Sequence, residues 1–293
     1  MTELNTPKLF LFQLLLFVRH SAKELVRKKV FIVTLVLTVL FLALFYYGVG
    51  LIGSNERDAS DSALVTFEQG VIFLYLGIFF AQFIIAFLVL FSSMGAIATE
   101  VENGQMLAVL ARPIERWKVY LGKWAGFALW SAIFAGLVYT AILFIVNWQI
   151  GMFPGFTPAL RGLLMFMAVP VLLSAVTLLG SSYLPTLGNG VASALLFGLG
   201  MFGGMLEKIV NMNHTYPGIE KFGLLTSLVM PTDALIRRVD YELMGGGDIP
   251  SFLQNMGPFS LSDAPSNTFL VYTGVYVAAL LLWGCIHFTN RDI

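Results

Sequence analysis

Long apolar runs, broken by short polar ones, set the rhythm of this chain. Six of them, at about 30–52, 71–98, 121–147, 162–184, 188–206 and 268–288, are long enough to cross a bilayer as helices. The second holds 28 residues without a charge. As a helix rising about 1.5 Å per residue it reaches roughly 42 Å, more than a hydrocarbon core of about 30 Å, so the end bearing Glu100 projects into water or the helix tilts. The pattern predicts an all-α membrane protein with six transmembrane helices.

The segments between the spans carry their own patterns. Residues 9–18 are apolar except for one glutamine, yet ten helical residues cover only about 15 Å. The basic residues Arg19, Lys23, Arg27, Lys28 and Lys29 follow this run rather than precede it, and no A-x-A site follows them, which disfavours a secretory signal. An interfacial helix over 1–29 is expected, lying on the cytoplasmic leaflet where anionic lipid attracts its basic side; a frayed basic tail is the plainer alternative.

The run 98–123 is the most polar stretch between two spans. Leu107, Leu110, Ala111 and Ile114 recur at helical spacing. Pro113 interrupts that helix and suits the first position of another. Trp117, Tyr120 and Trp124 then share a face at the height of an aromatic belt, with Lys123 placed to snorkel. The stretch 54–70, with Glu56, Asp58, Asp61 and Glu68, reads as a solvated loop without calcium-loop spacing. Spans four and five, joined across 183–187, must be antiparallel neighbours. Small residues spaced four apart, Ala194 with Gly198, Gly200 with Gly204 and Gly122 with Gly126, permit close helix approach, either within one bundle or at a dimer seam. In the hydrophilic region 207–267, residues 219–230 are apolar enough to dip into the membrane. Pro231, Thr232 and Asp233 open a helix with Leu235, Ile236, Val239 and Leu243 on one side and Gly245 as its stop.

Composition narrows the reading. The chain has 293 residues, is 58% hydrophobic and carries zero net charge, which removes any global argument for nucleic acid as a partner. With the amino terminus inside, the inner segments hold eleven of the seventeen basic residues, Lys8, Arg19, Lys23, Arg27, Lys28, Lys29, Arg112, Arg116, Lys118, Lys123 and Arg291. The positive-inside rule then puts both termini and the 98–122 loop in the cytoplasm, and the 207–267 region outside. The lone Cys285 packs as a small hydrophobe.

The chemistry that is missing is equally informative. The spans contain no Asp, Glu or Arg, and their ionisable groups, Lys123 and His287, sit at the edges. Ion-coupled carriers and proton relays place such groups at membrane depth, so a self-powered secondary carrier is disfavoured. The chain's Gly122-Lys123 pair has Trp117 where a phosphate-binding loop needs glycine, so no nucleotide is held by that route. His20, His214 and His287 lie in separate segments, without a zinc-helix or nucleophile-elbow motif. Neither a cofactor nor a metal is expected on this chain, nor a catalytic residue. Gln82, Ser92, Ser93, Ser174, Thr177 and Asn189 are the uncharged polar span residues that line a pathway or bond between helices.

In order and spacing, Glu100, Glu102, Gly104, Gln105, Met106, Leu107, Leu110, Pro113, Arg116, Gly122 and Lys123 resemble the ABC type-2 transporter permease family. Gln105 stands where threonine is more usual, and Val101 where a basic residue is common. Phe288, Arg291 and Asp292 resemble that family's ending. The resemblance implies a permease domain over 30–293, preceded by an amphipathic elbow helix and closed outside by re-entrant helices. It implies that 98–122 is a coupling helix held against a separate cytoplasmic ATPase, which binds ATP and Mg. It implies export, and two permease chains facing each other in a prokaryotic inner membrane. Glu100, Glu102, Gly104, Gln105, Met106, Leu107, Leu110, Pro113 and Arg116 are the expected ATPase contacts, with Arg19, Lys23 and Arg27 at the elbow interface. An ATP-independent channel or a membrane scaffold for a protein complex is the alternative.

Overall fold

Backbone amides that meet hydrocarbon must find their hydrogen bonds within their own segment, and this chain meets that demand with helices. The computed structural model describes residues 16, 18–21, 23–55, 62–106, 115–213, 217–244 and 265–290. Residues 18–21 and 23–27 are helical and bend at Lys28 into α1, Lys29–Asn55. There follow α2, Ser62–Ser93; α3, Ala98–Glu102; α4, Arg116–Ile150; α5, Phe156–Tyr183; and α6, Thr186–Asn213. Then come α7, Pro217–Val229; α8, Thr232–Leu243; and α9, Asn267–Asn290. Six helices are long and apolar enough to cross a membrane: α1, α2 continued through α3, α4, α5, α6 and α9. The chain is an all-α integral membrane protein.

Several helices outrun the apolar runs that announced them, because backbone hydrogen bonding continues through polar residues. Helix α2 begins at Ser62, so Glu68 sits on a helix and not in a loop. Glu56, Asp58 and Asp61 lie outside the described residues, as do Leu107, Leu110, Ala111, Pro113, Ile114, His214, Gly245, Arg291 and Asp292. The expected helix start at Pro113 falls outside the described residues. Glu115 is extended, and α4 begins at Arg116. The Glu115 carboxylate accepts the Trp117 indole N–H at 2.7 Å and pairs with Lys118 at 3.2 Å, placing a negative charge over the first turn.

The core runs down the middle of the bundle, where Ile78, Ala81, Ile85 and Leu88 of α2 meet Ala135, Tyr139, Ile142 and Val146 of α4 and Leu172, Leu173, Ala175 and Leu178 of α5. The outward faces stay apolar, as with Ile32, Val36 and Leu40 of α1, because their solvent is lipid. The glycine-rich face of α6 serves packing within one chain. A Cβ on Gly200 would lie 2.7 Å from the Met230 carbonyl, and one on Gly203 or Gly204 would strike Thr226 or Asp233, so α7 and α8 lie directly on this face. Gly198 faces open space instead. The last carbonyls of α7 are taken by α9, whose Tyr272 and Tyr276 hydroxyls donate to Leu228 and Val229 at 2.7 Å each.

Helix α8 is the most polar of the nine described, yet ten of its twelve residues are buried. Leu235, Ile236, Val239 and Leu243 fill the core, and the polar face forms a charge cluster with α6 and α5. Arg237 bridges Glu207 at 3.1 Å and Asp233 at 3.0 Å, and Lys208 lies 3.8 Å from Asp233. Arg238 pairs with Glu242 at 2.7 Å, with Arg161 3.7 Å from the same carboxylate. Asp240 stands apart: it is 2% exposed, and neither carboxylate oxygen has a hydrogen-bond donor among the described residues. Burial pushes its carboxyl well above the ordinary carboxylate range; the charge of Lys208 opposes the shift and that of Asp233 adds to it.

Two outcomes test this packing. Gly204→Ala drives a methyl into Asp233 and is expected to lower stability by about 1–3 kcal/mol in a detergent unfolding assay. For Asp240, a folded pKa above the unfolded value means the fold loses stability as pH climbs from about 4 toward the folded pKa. Asp240→Asn removes that loss, so the thermal midpoint of the variant is expected to rise above that of the parent as pH is raised through this window; parallel curves would contradict the assignment.

Candidate functional site

The polar run after α2 folds where that helix breaks. Residues 94–97 turn between α2 and α3, which frees backbone groups where Ala96, Ile97 and Ala98 are buried from water. Side chains from four other places satisfy them. Lys28, at the bend before α1, donates to the Ser92 carbonyl at 2.6 Å. Asn189 of α6 donates to the Met94 carbonyl at 2.7 Å, and Lys123 of α4 to the Ala96 carbonyl at 2.8 Å. The Ser181 hydroxyl of α5 accepts the N–H groups of Ile97 and Ala98, each at 3.0 Å, capping the start of α3. An unsatisfied backbone group in hydrocarbon costs several kcal/mol, so these bonds decide whether the break exists at all.

Charge and shape reinforce the junction. Lys123 is 3% exposed and forms an ion pair with the half-buried Glu100, so it does not snorkel to a membrane surface. The reason is the nearby break, which supplies a carbonyl and a carboxylate that together outbid solvent. Lys28 pairs with Glu24 at 2.8 Å and lies over the Phe127 ring. Thr99 and Thr186 share a hydrogen bond at 3.0 Å. Gly180 is required by close approach, since any Cβ there would collide with the Asn189 amide. Gly126, one of the small residues that mark α4, receives the elbow: a Cβ would run into Ser21 and approach the Val18 carbonyl at 3.2 Å.

The start of α4 is also tied to the end of α9. Tyr120 is fully buried, its ring 6.1 Å from that of Phe288, and a side chain at Gly284 would meet its hydroxyl. Tyr120 is therefore core and not part of an aromatic belt. Arg116 donates to the Thr289 carbonyl at 3.3 Å, a cation at a helix C-terminus. His287 stacks on Tyr183 with ring centres 3.7 Å apart.

Among the expected ATPase contacts, the described residues divide. Glu102, Gly104 and Gln105 are exposed, and Gly104 adopts φ +69°, a left-handed turn that favours glycine. Met106 is fully buried, and Glu100 is engaged by Lys123, so the free chain presents neither freely to a partner. Arg19, Lys23 and Arg27 lie on the exposed side of the elbow. All six polar span residues, Gln82, Ser92, Ser93, Ser174, Thr177 and Asn189, are buried. Ser92, Ser93, Ser174 and Thr177 donate to carbonyls of their own helices, three or four residues back. Asn189 instead joins α6 to both the turn after α2 and α5, donating also to the Thr177 carbonyl at 2.8 Å. Ser181 had no distinguishing signal in the sequence; only the proximity of the broken helix gives it a role.

His20, Glu24 and Glu100 each place one possible metal-ligand atom within 4.8 Å of the others. Lys28 and Lys123 already neutralise the two carboxylates, so the group balances its charge without a metal.

No curated protein matches the chain. The family model described as ABC-2 family transporter protein matches residues 16–293, from the elbow to the last residue and thus across every helix described here. The chain belongs to the ABC-2 transporter family, of which it is a membrane component.

Proposed function

We propose that this chain is the permease subunit of an exporter driven by ATP hydrolysis on a separate subunit, with a second permease chain completing the pathway. The observation that carries the reading is the junction at 92–106. Its surface offers Glu102 to Gln105 to a partner, while its base is bonded to the elbow, α4, α5 and α6. A push on such a segment reaches four helices through short, buried bonds, and packed helices answer by rigid-body shifts. The ATPase, holding ATP and Mg, docks on Glu102, Gly104, Gln105 and the 107–114 stretch. Glu100 works from behind them as an internal strut with Lys123.

The charge distribution supports a cytoplasmic placement of this junction in a prokaryotic inner membrane, with both termini inside. Arg19, Lys23, Arg27, Lys28, Lys29, Arg116, Lys118 and Lys123 lie just before or at the start of α1 and in the first turns of α4, the two places from which Lys28 and Lys123 reach the junction. At the opposite end, Lys208, Arg237 and Arg238 are each committed to an ion pair inside the fold, so they weigh little against the positive-inside rule. There α7 and α8 act as the outer lid over the bundle. Of the buried polar span residues, Asn189 then holds separate elements together, while Ser92, Ser93, Ser174 and Thr177 are engaged within their own helices.

Co-purification with a candidate ABC ATPase subunit tests the docking. Glu102→Lys with Leu107→Asp is expected to lower both co-purification and ATP-dependent transport by about ten-fold or more, with the thermal midpoint unchanged. Flux by the isolated chain in liposomes would instead favour a channel. Lys123→Met, which leaves Glu100 unpaired at the junction, is expected to cost about 3–5 kcal/mol of stability. Adding Glu100→Gln should restore much of that loss, and failure to do so would separate the ion pair from the role given to it.

A further inference from the structure

The elbow and α4 enclose a groove of about 580 Å³ with two chemically different walls. One wall is Arg19, Lys23 and Arg27, spaced four apart, so the three cations form a stripe roughly 12 Å long on the exposed side of the elbow. None of the three has an ion pair or hydrogen bond among the described residues. The neighbouring Glu24 is turned away and taken by Lys28. The other wall is apolar: Val18 and Val26 of the elbow with Leu129 and Trp130 of α4, the last two 49% and 41% exposed.

We propose that this groove is a binding site for one anionic glycerophospholipid, its phosphate held by Arg19, Lys23 and Arg27 and an acyl chain laid against Val26, Leu129 and Trp130. The walls themselves argue for a lipid over a protein partner. Leu129 and Trp130 belong to a membrane-spanning helix, at the level where Gly126 receives the elbow and a few residues beyond buried Lys123. A hydrated acidic surface reaches the stripe but not this apolar floor, whereas a phospholipid satisfies both with one molecule. Each cation near an anionic headgroup is worth about five-fold in binding, so three together give a preference over zwitterionic lipid on the order of a hundred-fold. A lipid seated here wedges the elbow against α4, beside the Ser21 to Gly126 contact that fixes its crossing point. The inference does not require the ATPase, since it concerns the permease chain alone.

The test uses the full chain in nanodiscs of phosphatidylcholine doped with a few per cent of phosphatidylglycerol or further phosphatidylcholine, the dopant carrying brominated acyl chains. The part of the tryptophan quenching lost in Trp130→Phe reports occupancy of the groove. Brominated phosphatidylglycerol is expected to quench Trp130 at far lower mole fraction than brominated phosphatidylcholine. The R19Q/K23Q/R27Q variant should remove that preference and high salt should weaken it. If the triple variant does not fold, each single substitution should still cost about five-fold. Equal quenching by the two lipids, or a preference that survives the substitutions, overturns the assignment. Loss of ATPase co-purification in the triple variant with lipid preference intact would overturn it too, by giving the stripe to a protein.

Discussion

A helix cannot break at the edge of a membrane unless something else satisfies the groups it abandons. That constraint organises the cytoplasm-facing end proposed for this permease. Three carbonyls and two amides of the 92–98 turn are answered by Lys28, Lys123, Asn189 and Ser181, and each of these side chains comes from a different part of the chain. The junction is therefore a meeting of elements whose positions are mutually conditional. Such a knot is suited to passing a displacement on, because no single helix moves without straining a buried bond.

The opposite end repeats the strategy with charge. Along α8, Arg237 and Arg238 balance Glu207, Asp233 and Glu242, with Lys208 and Arg161 closing the network. Asp240 is the acid left over, and burial pushes its carboxyl above the ordinary carboxylate range. Between these two polar ends the bundle is nearly all hydrocarbon, stiffened by aromatic contacts such as Phe79 with Phe83 and Phe83 with Phe197. A body with polar anchors at its ends and an apolar shaft between them moves more readily by sliding and tilting whole helices than by bending them.

Glycine shows how the same spacing acquires different meanings. Gly200 and Gly204 admit α7 and α8, Gly126 admits the elbow, and Gly198, two residues before Gly200 and so on the opposite face of α6, meets nothing among the described residues. Small-x-x-x-small spacing thus marks where a helix is thin without naming what lies against it. Likewise Trp117, Tyr120 and Trp124 share a face as their spacing requires, yet that face turns toward α9 and buries Tyr120.

The local patterns of the chain were sufficient for the six spans and for the amphipathic α8 with Leu235, Ile236, Val239 and Leu243 inward. Hydrophobic period and turn chemistry are properties of neighbouring residues, and the chain states them directly. The partners of Lys123, Ser181 and Asn189 were beyond that reach, as was the gathering of scattered charges around α8. Those contacts join residues far apart in sequence, Asn189 lying 95 positions from the carbonyl it bonds. Only the packed bundle brings them within reach, because burial is decided by which helices become neighbours.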